Sequence, residues 1–340
     1  MPPIELNVDC SLNENMFLRR VDNGKTLKTP PLPTFLDSEK FRPLMDKFTT
    51  FVFDCDGVLW LGQNKIEGSP QFIDMLLDAG KQVILLTNNA TCSRATYGKK
   101  LAKLGYSDRL GKHSLVNPSA VTADVLYRKG MHKTGKKVYV IGEQGVKDEL
   151  DEVGVPHFSH DTSDKQKPNG GAFLLSLDLD EEVEQVGAVV VGYQFDFNYL
   201  SLMKACNYLQ NENVDFIGTN EDDRCPAPDP ELIVPDAGPI ISAVKAASGR
   251  EPMVVGKPNT PAFDYIQRRW KIDPARTLMV GDRTDTDIKF GRDHGLQTML
   301  VLSGCHQVED VVANQMNGST DKIPHYYANN LGSLVPNDSN

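Results

Sequence analysis

Two aspartates in the stretch Asp54-Cys55-Asp56-Gly57 are the residues whose types and spacing most directly suggest chemistry. They follow the apolar run Phe51-Val52-Phe53, which predicts a buried strand that ends at this point. Side chains at positions i and i+2 of an extended segment point the same way, so both carboxylates can enter one crevice at the strand's carboxyl end. Because acidic residues at strand ends are also typical of solvated turns, the pair needs support from other motifs.

Two further polar motifs follow predicted strands. Thr87-Asn88-Asn89 comes after the strand Val83–Leu86, and its hydroxyl, amides and backbone N–H groups suit phosphate oxygens. Threonine and asparagine are also favoured at helix N-caps, so a capping role is the alternative. Lys257 follows the strand Met253–Val255 in the sequence Gly256-Lys257-Pro258. Most lysines are solvated, but an ammonium fixed there could neutralise charge on a transferring phosphoryl group.

The last polar motif contains Asp282, Asp285 and Asp287 and follows the predicted strand Thr277–Val280. At an effective dielectric constant of about 20, two like unit charges ~4 Å apart repel by about 4 kcal/mol, so such a cluster favours a bound cation. An all-oxygen ligand set favours Mg²⁺. We assign Asp282 and Asp287 to this site and interpret Asp285 as a residue of a solvent-facing loop.

Composition limits the possible partners. The 340-residue chain carries a formal net charge of −10, which argues against nucleic acid or an anionic membrane as a partner. No apolar stretch approaches the ~18 residues needed to span a bilayer, and the amino-terminal segment lacks the apolar core of a signal peptide. The six cysteines have no C-x-x-C spacing, which indicates free thiols. We therefore expect a cytoplasmic protein.

The hydrophobic pattern predicts the α/β class with a doubly wound parallel sheet, because short apolar strands alternate with amphipathic helices. Residues 1 to about 40 are polar, and we expect little regular structure there. The remaining predicted strands are Val138–Ile141, Ala188–Val191 and Met299–Leu302, and the predicted helices cover residues 93–104, 199–210 and 239–247.

The four motifs, each at the end of a predicted strand, together resemble the haloacid dehalogenase superfamily of phosphohydrolases, which has a Rossmann-like core. The runs Phe53–Leu61 and Gly281–Ile288 are similar to those of eukaryotic 4-nitrophenyl phosphate, phosphoglycolate and pyridoxal phosphate phosphatases. The resemblance covers roughly residues 33–335 and includes Val191-Gly192-Tyr193 and the segment Gly218–Asp222, which Pro226 follows.

This resemblance implies a role for each motif. Asp54 would be the nucleophile that forms an aspartyl phosphate, and Asp56 would protonate the leaving alcohol and then activate water. Mg²⁺ would be held by Asp54, the backbone carbonyl of Asp56 and Asp282, while Asp287 would order coordinated water. A second aspartate argues against a dehalogenase, whose reaction has no leaving alcohol to protonate. The residues implied to bind the substrate phosphate are Thr87, Asn88, Asn89 and Lys257.

The long separation between Thr87 and Lys257 predicts a cap domain, because one crossover needs far fewer residues. We expect the cap at residues 120–250, the catalytic core at 41–119 and 251–340, and an amino-terminal extension at 1–40. By resemblance the cap excludes water and selects the leaving group. Asp196, where several animal members have a histidine, and Asp222 are candidate specificity residues, although Asp196 also suits a solvated surface. We also expect a homodimer formed through the cap.

The sequence therefore predicts a cytoplasmic, Mg²⁺-dependent phosphatase of small phosphorylated metabolites such as 2-phosphoglycolate, with 4-nitrophenyl phosphate as a test substrate. A pyridoxal 5'-phosphate phosphatase is an alternative enzyme. A catalytically idle binding protein of the same fold is an alternative of another class, which the loss of a catalytic carboxylate or the motif lysine would favour. A phosphomutase would retain the phosphoryl group, so release of free phosphate separates it from a phosphatase.

Overall fold

The computed structural model describes residues 32–160, 179, 181–225 and 232–336, and the backbone of residues 19–22 and 25–28. The strands in chain order are β1 (Arg19–Asp22), β2 (Lys25–Lys28), β3 (Thr34–Phe35), β4 (Thr50–Phe53), β5 (Trp60–Leu61), β6 (Asn64–Lys65), β7 (Gln82–Leu86), β8 (Leu115–Val116), β9 (Lys137–Ile141), β10 (His157–Phe158), β11 (Val186–Val191), β12 (Asp215–Gly218), β13 (Arg224–Cys225), β14 (Val234–Pro235), β15 (Met253–Val254), β16 (Thr277–Gly281), β17 (Gln297–Val301) and β18 (Tyr326–Ala328). The α-helices are α1 (Ser38–Met45), α2 (Ser69–Asp78), α3 (Arg94–Leu104), α4 (Pro118–Arg128), α5 (Gln144–Glu152), α6 (Tyr199–Tyr208), α7 (Ala237–Ser248), α8 (Thr260–Trp270), α9 (Lys289–Asp293) and α10 (Val308–Met316).

The chain packs as two units. Unit 1 contains the described residues of Met1–Leu61, Lys65–Gln82 and Asp273–Asn340, and unit 2 contains those of Gly62–Asn64 and Val83–Ile272. The division expected from the sequence, with a cap at 120–250, stays a prediction. Among the described helices, none combines the length and the hydropathy that a membrane span requires.

Unit 1 is built on parallel strands. β3, β18, β17, β16 and β4 lie side by side in that order, and each pairing is parallel. Phe53 of β4 lies opposite Val280 of β16. Because parallel strands end at the same edge of a sheet, Asp54 and Asp282 emerge at one edge of unit 1.

A cluster of phenylalanines fixes the strand that carries Asp54. All four residues of β4 are buried, and the rings of Phe51 and Phe53 stack with centroids 6.2 Å apart. The ring centroids of Phe41 of α1 and Phe72 of α2 lie 5.1 Å apart, and the ring of Phe72 meets that of Phe53 edge to face. Burying one such side chain contributes about 1.5–3 kcal/mol, so these rings hold β4 firmly.

Unit 2 contains a second parallel sheet, in the order β10, β9, β11, β12 and β15. Every residue of β11 is buried, as expected for a strand covered on both faces, and α6 and α7 pack against it. Tyr139 of β9 contacts Tyr208 of α6 and Phe158 of β10, with ring centroids 5.1 and 5.2 Å apart. In the same unit β7 and β8 pair in parallel, with Leu85 opposite Leu115.

The predicted α/β class with parallel sheets is confirmed, and the predicted strands and helices lie where the hydrophobic pattern indicated. The expectation of little regular structure in residues 1 to about 40 is wrong in part. β1 and β2 pair as antiparallel strands, and β3 pairs in parallel with β18. Asn23-Gly24 separates β1 from β2 in the sequence and is typical of hairpin connections, so a local signal was present.

Candidate active site

The pairing of β4 with β16 fixes the position of Asp54. Its backbone N–H donates a hydrogen bond of 2.8 Å to the carbonyl of Val280 on β16, so the β4–β16 ladder continues to the aspartate itself. The residue is 8% exposed. A carboxylate this far buried needs compensating partners or a cation.

Asp56 lies in the tight turn that follows. Gly57 has φ of +85°, a conformation that favours glycine, and its N–H donates to the carbonyl of Trp60 at 2.8 Å. The indole N–H of Trp60 in turn donates to Oδ1 of Asp56 at 2.9 Å. The buried Trp60 ring therefore orients the carboxyl group of Asp56.

Asp282 and Asp287 form the second part of this group. Oδ2 of Asp282 accepts a hydrogen bond of 2.8 Å from the N–H of Cys305. Oδ2 of Asp287 accepts from the N–H groups of Asp282 and Arg283 at 3.2 and 3.1 Å. Asp287 is fully buried and packs over Gly281, where a Cβ atom would lie 2.2 Å from the aspartate side chain. Both aspartates are therefore held by backbone groups.

The three buried carboxylates of Asp54, Asp282 and Asp287 meet in unit 1, where one oxygen of each lies within 4.8 Å of the others. The residues fit a hard divalent cation, because the donors are all carboxylate oxygens and Mg²⁺ prefers such ligands. Two glycines make room for the Asp282 carboxylate, since a Cβ at Gly57 or Gly304 would lie 2.3 or 2.0 Å from its Oδ2. The donor set and the glycine cradle thus suit the predicted Mg²⁺ site.

Asp285 is separate from this cluster. It pairs with Arg283, whose Nη2 lies 3.1 Å from its Oδ2, and its side chain is 39% exposed. Burial acts to raise the pKa of Asp285, but the hydrogen bond and charge of Arg283 outweigh it and the pKa is lowered. Asp285 is thus outside the carboxylate cluster, but the expected solvent-facing loop is wrong, because the residue lies in a short π-helical turn, Thr284–Ile288.

In unit 2, Thr87, Asn88 and Asn89 follow β7 but do not cap a helix. The next helix, α3, has Ser93 as its N-cap, so the capping alternative is wrong. Thr87 is buried and its hydroxyl accepts from the N–H of Asn89 at 3.1 Å, while the exposed Asn89 accepts from Thr91 at 2.9 Å. The motif is thus an ordered strand-end loop.

Lys257 and Asn88 meet although they are far apart in the chain. Oδ1 of Asn88 accepts from the N–H of Lys257 at 2.8 Å, and Nδ2 of Asn88 donates to the carbonyl of Lys257 at 3.0 Å. The Lys257 ammonium is buried, with the residue 2% exposed, and donates to the carbonyl of Leu86 at 2.9 Å. Two of the motifs predicted to bind phosphate are therefore brought together in unit 2.

The candidate specificity residues differ in their surroundings. Asp196 is exposed and accepts a hydrogen bond of 2.9 Å from Gln194, in agreement with its interpretation as a surface residue. Asp222 instead accepts from Nδ2 of Asn88 at 2.9 Å, so it contacts a phosphate-binding candidate. Pro226, which the sequence motif included, lies outside the described residues.

The backbone support from residues 303–305 was not predicted from the sequence. Cys305 holds Asp282, and the hydroxyl of Ser303 donates to the carbonyl of Gly57 at 2.7 Å. The signal was available, because this loop follows β17, a predicted parallel strand, just as the four motifs follow theirs. Nor was Asp236 predicted, the N-cap of α7, where burial and then the charge of Asp222 raise the pKa to about 6.

Two protein families match segments of the chain that contain these motifs. A family described as haloacid dehalogenase-like hydrolase matches residues 51–156, and one described as HAD-hydrolase-like matches residues 254–334. The first segment contains the motifs at Asp54 and Thr87, and the second contains Lys257 and Asp282. Residues 157–253, which include Asp196 and Asp222, fall between the two matches.

Curated relatives extend the likeness over most of the chain. Glycerol-3-phosphate phosphatase of Homo sapiens is 34% identical over 307 residues, which are 88% of this chain and 94% of that protein. Phosphoglycolate phosphatase 1A, chloroplastic, of Arabidopsis thaliana is 36% identical over 90% of this chain and 82% of its own length. A Caenorhabditis elegans protein described as a putative NipSnap protein is 39% identical over 254 residues, 74% of this chain, but the chain spans only 48% of that protein.

A solved structure gives the same result for the fold. The p-nitrophenyl phosphatase from Archaeoglobus fulgidus matches with a TM-score of 0.70 and 26% sequence identity. The match covers 84% of this chain and 98% of that chain. The likeness thus takes in nearly all of a known phosphatase.

Proposed function

The chain belongs to the haloacid dehalogenase-like hydrolase family as a phosphoric monoester hydrolase, and we propose that it is a Mg²⁺-dependent phosphatase of small metabolites. Its proposed substrates are phosphate monoesters such as 2-phosphoglycolate and glycerol phosphate, which correspond to the activities in the names of the human and Arabidopsis relatives. 4-Nitrophenyl phosphate is the proposed test substrate, because the Archaeoglobus structure is that of a p-nitrophenyl phosphatase.

The observation that carries this proposal is the group of buried carboxylates at Asp54, Asp282 and Asp287, whose oxygens lie within 4.8 Å. In a protein without a cation, like charges this close would repel strongly. Mg²⁺ would be held by Asp54, the backbone carbonyl of Asp56 and Asp282, and Asp287 would order coordinated water. When bound, Mg²⁺ supplies positive charge that offsets the negative charge of the phosphoryl oxygens.

In the first half of the proposed reaction, a carboxylate oxygen of Asp54 attacks phosphorus. A bond forms between this oxygen and phosphorus, and the bond from phosphorus to the ester oxygen breaks. The departing oxygen takes a proton from the carboxyl group of Asp56, which the indole N–H of Trp60 holds in orientation. The products are the free alcohol and an aspartyl phosphate on Asp54.

In the second half, Asp56 acts as a base. It removes a proton from a water molecule whose oxygen attacks phosphorus, and the bond between phosphorus and Asp54 breaks. Inorganic phosphate leaves, and both aspartates return to their initial protonation states. The two carboxylates therefore need different environments, and only Asp54 belongs to the buried carboxylate cluster.

The proposed phosphate-binding groups are Thr87, Asn88, Asn89 and Lys257. An ammonium, a hydroxyl, the side-chain amide of Asn89 and the backbone N–H groups of this loop can stabilise the charge that develops on phosphoryl oxygens. The chain's net charge of −10 makes such local positive charge necessary for an anionic substrate. Lys257 is already immobilised by its bond to Leu86, so little ordering is needed when substrate binds.

The cap proposed at residues 120–250 would choose the substrate. Asp222 and the exposed Asp196 both lie within it. A pyridoxal 5'-phosphate phosphatase is the alternative substrate assignment, and a catalytically idle binding protein is the alternative of another class. A phosphomutase would transfer the phosphoryl group without releasing inorganic phosphate.

The remaining proposals concern assembly and location. We propose a homodimer formed through the cap, where Phe195 and Tyr199 of unit 2 are 87% and 61% exposed. Light scattering should give a dimer mass for the wild-type protein and a monomer mass for a Phe195→Ser, Tyr199→Ser double variant. A dimer mass for both proteins would contradict an interface at these two residues. A cytoplasmic location is likewise proposed, and fluorescence microscopy of the full chain in its own cells would test it.

The decisive experiment measures release of inorganic phosphate from a panel that contains 2-phosphoglycolate, glycerol 3-phosphate, pyridoxal 5'-phosphate and 4-nitrophenyl phosphate. We expect the highest kcat/KM for the small aliphatic esters, loss of activity with EDTA and recovery with Mg²⁺. Ca²⁺ should inhibit, because its looser coordination lets a carboxylate bind with both oxygens. Full activity in metal-free buffer would contradict the metal proposal, and absence of phosphate release from all four esters would contradict the phosphatase.

A further inference from the structure

Asp222 occupies an unusual position, because its side chain contacts residues from distant parts of unit 2. Its Oδ2 accepts hydrogen bonds from Nδ2 of Asn88 at 2.9 Å and from Nδ2 of Asn220 at 3.0 Å. Asn88 follows β7, whereas Asn220 and Asp222 follow β12. One carboxylate oxygen thus joins two strand-end loops.

Both N–H donors of the Asn88 amide, and its oxygen, take part in hydrogen bonds. Its Oδ1 receives the N–H of Lys257, and its Nδ2 donates both to the carbonyl of Lys257 and to Asp222. Removal of Asp222 would take away one of the three hydrogen bonds that hold this amide. A hydrogen bond to a charged acceptor is stronger than one between neutral groups, so the carboxylate is a suitable anchor.

The loop that carries Asp222 is also held by its main chain. The backbone carbonyl of Asp222 accepts from the N–H of Gly238, and that of Asp223 accepts from the N–H of Asp236, at 3.1 and 3.0 Å. Gly238 allows this close approach, since a Cβ there would lie 2.8 Å from the carbonyl of Glu221. The main chain therefore holds the loop against the start of α7, while the side chain bonds Asn88 and Asn220.

Asn220 completes the connection on the other side. It is 2% exposed, and its Oδ1 accepts from the hydroxyl of Thr219 at 2.9 Å. The carbonyl of Thr219 accepts from the N–H of Gly256 at 2.7 Å, directly before Lys257. The path from Asp222 thus reaches the lysine loop both through Asn88 and through Asn220.

We propose that Asp222 is a positioning residue, which holds Asn88 and, through it, the Lys257 loop in the geometry that binds a phosphoryl group. This role rests on the proposed function of the chain. In this role Asp222 acts on the phosphoryl group only through Asn88, whose amide it holds. The sequence had suggested instead that Asp222 selects the leaving group.

A double-mutant cycle with Asp222→Ala and Asn88→Ala tests this role in the full-length protein. We expect Asp222→Ala to lower kcat/KM for 4-nitrophenyl phosphate about 10- to 100-fold and to raise the inhibition constant of inorganic phosphate, because a charged hydrogen bond is lost. In the Asn88→Ala background, Asp222→Ala should lower kcat/KM by less than about threefold, since the amide that Asp222 positions is already absent.

Asp222→Asn should stay within about threefold of the wild type, because its amide oxygen can still accept from Asn88. Glu221→Ala, an exposed carboxylate in the same loop, is the matched control. If Asp222→Ala does not fold by circular dichroism, Asp222→Glu replaces it in the cycle, since one added methylene moves the acceptor away from Asn88. Equal losses in both backgrounds, or wild-type kinetics of the replacing variant, would overturn the positioning role.

The two proposals fail in different ways. If the wild-type protein released no phosphate from any ester, the phosphatase proposal would fail. If the wild type were active but losses at Asp222 and Asn88 were additive, only the positioning role would fail.

Discussion

The carboxylate of Asp287 accepts a hydrogen bond of 3.2 Å from the backbone N–H of Asp282. The fully buried Asp287 therefore fixes the main chain at Asp282. The N–H of Arg283 donates to the same oxygen at 3.1 Å. Asp287 can therefore act on the cation site even where it is not itself a ligand, because it sets the direction of Asp282. Partners of this kind strongly affect metal affinity.

Asp287→Ala removes both of these acceptor contacts. We expect the Mg²⁺ concentration for half-maximal activity to rise about 10- to 100-fold. Titration of initial rates with Mg²⁺ measures this change, and Asp285→Ala, on the same turn but paired with Arg283, is the control. A Mg²⁺ requirement that is equal in Asp287→Ala and Asp285→Ala would argue against the role of Asp287.

Asp56→Asn should separate the two halves of the reaction. Nitrophenolate is a stable anion that departs without a proton, so Asp54 can still be phosphorylated, but the variant lacks the base for hydrolysis. Stopped-flow absorbance should reveal a burst of about one nitrophenolate per active site, followed by turnover about 10²- to 10⁴-fold slower than the wild type. Asp54→Asn should give no burst. Steady turnover of Asp56→Asn at the wild-type rate would exclude Asp56 as acid and base.

Asp236 makes stability depend on pH. Its pKa is raised from 3.8 to about 6 by burial and by Asp222, so the folded chain resists ionisation that the unfolded chain accepts. The resulting loss of stability is small below pH 4, grows between pH 4 and 6, and is then constant at about 1–3 kcal/mol.

Asp236→Asn removes this charge but keeps an oxygen that can cap α7 through the N–H of Ala237. Urea denaturation should therefore show the variant to be more stable than the wild type at pH 7.5, with the difference fading towards pH 4. Asp223→Asn, at an exposed position in the same region, should have little effect at either pH. A gain that did not change with pH would have another cause.

The buried ion pair between Arg94 and Glu149 should contribute strongly to the free energy of unfolding. Nη2 of Arg94 lies 2.7 Å from Oε2 of Glu149, and the two side chains are 8% and 1% exposed. Glu149→Ala leaves the buried guanidinium with Tyr265 and the part-exposed Glu152, 3.6 Å away, as its remaining partners, and should cost about 3–5 kcal/mol in the free energy of unfolding. Lys112→Ala, which breaks an exposed pair with Glu152, should cost less than about 1 kcal/mol. Similar costs for both variants, measured by urea denaturation, would contradict the importance of burial.

Local sequence signals were sufficient for the positions of Asp54 and Asp282. Each follows a short apolar run, and parallel strands must bring such residues to one edge of a sheet. The pairing of β1 and β2 also had a local signal in Asn23-Gly24, although the polar composition of the segment favoured an interpretation without regular structure. These are features whose causes lie within a few residues.

The contact between Asn88 and Asp222 could not be predicted, because it depends on how β7 and β12 are arranged in unit 2. No periodicity or spacing encodes which of several polar loops will touch. The pKa of Asp236 was hidden for the same reason, since burial and a neighbouring charge are properties of the packed chain. The capping alternative for Thr87 failed because α3 begins only at Arg94.

Covalent labelling of Asp54 tests the central claim most directly. The wild-type protein and Asp54→Asn are mixed with ³²P-labelled substrate, quenched in acid within milliseconds and digested for peptide mapping. We expect acid-stable but base-labile label on the peptide that contains Asp54 in the wild type, no label in Asp54→Asn, and loss of kcat by several orders of magnitude. Label on another residue, or near-normal phosphate release by a folded Asp54→Asn variant, would contradict Asp54 as the nucleophile.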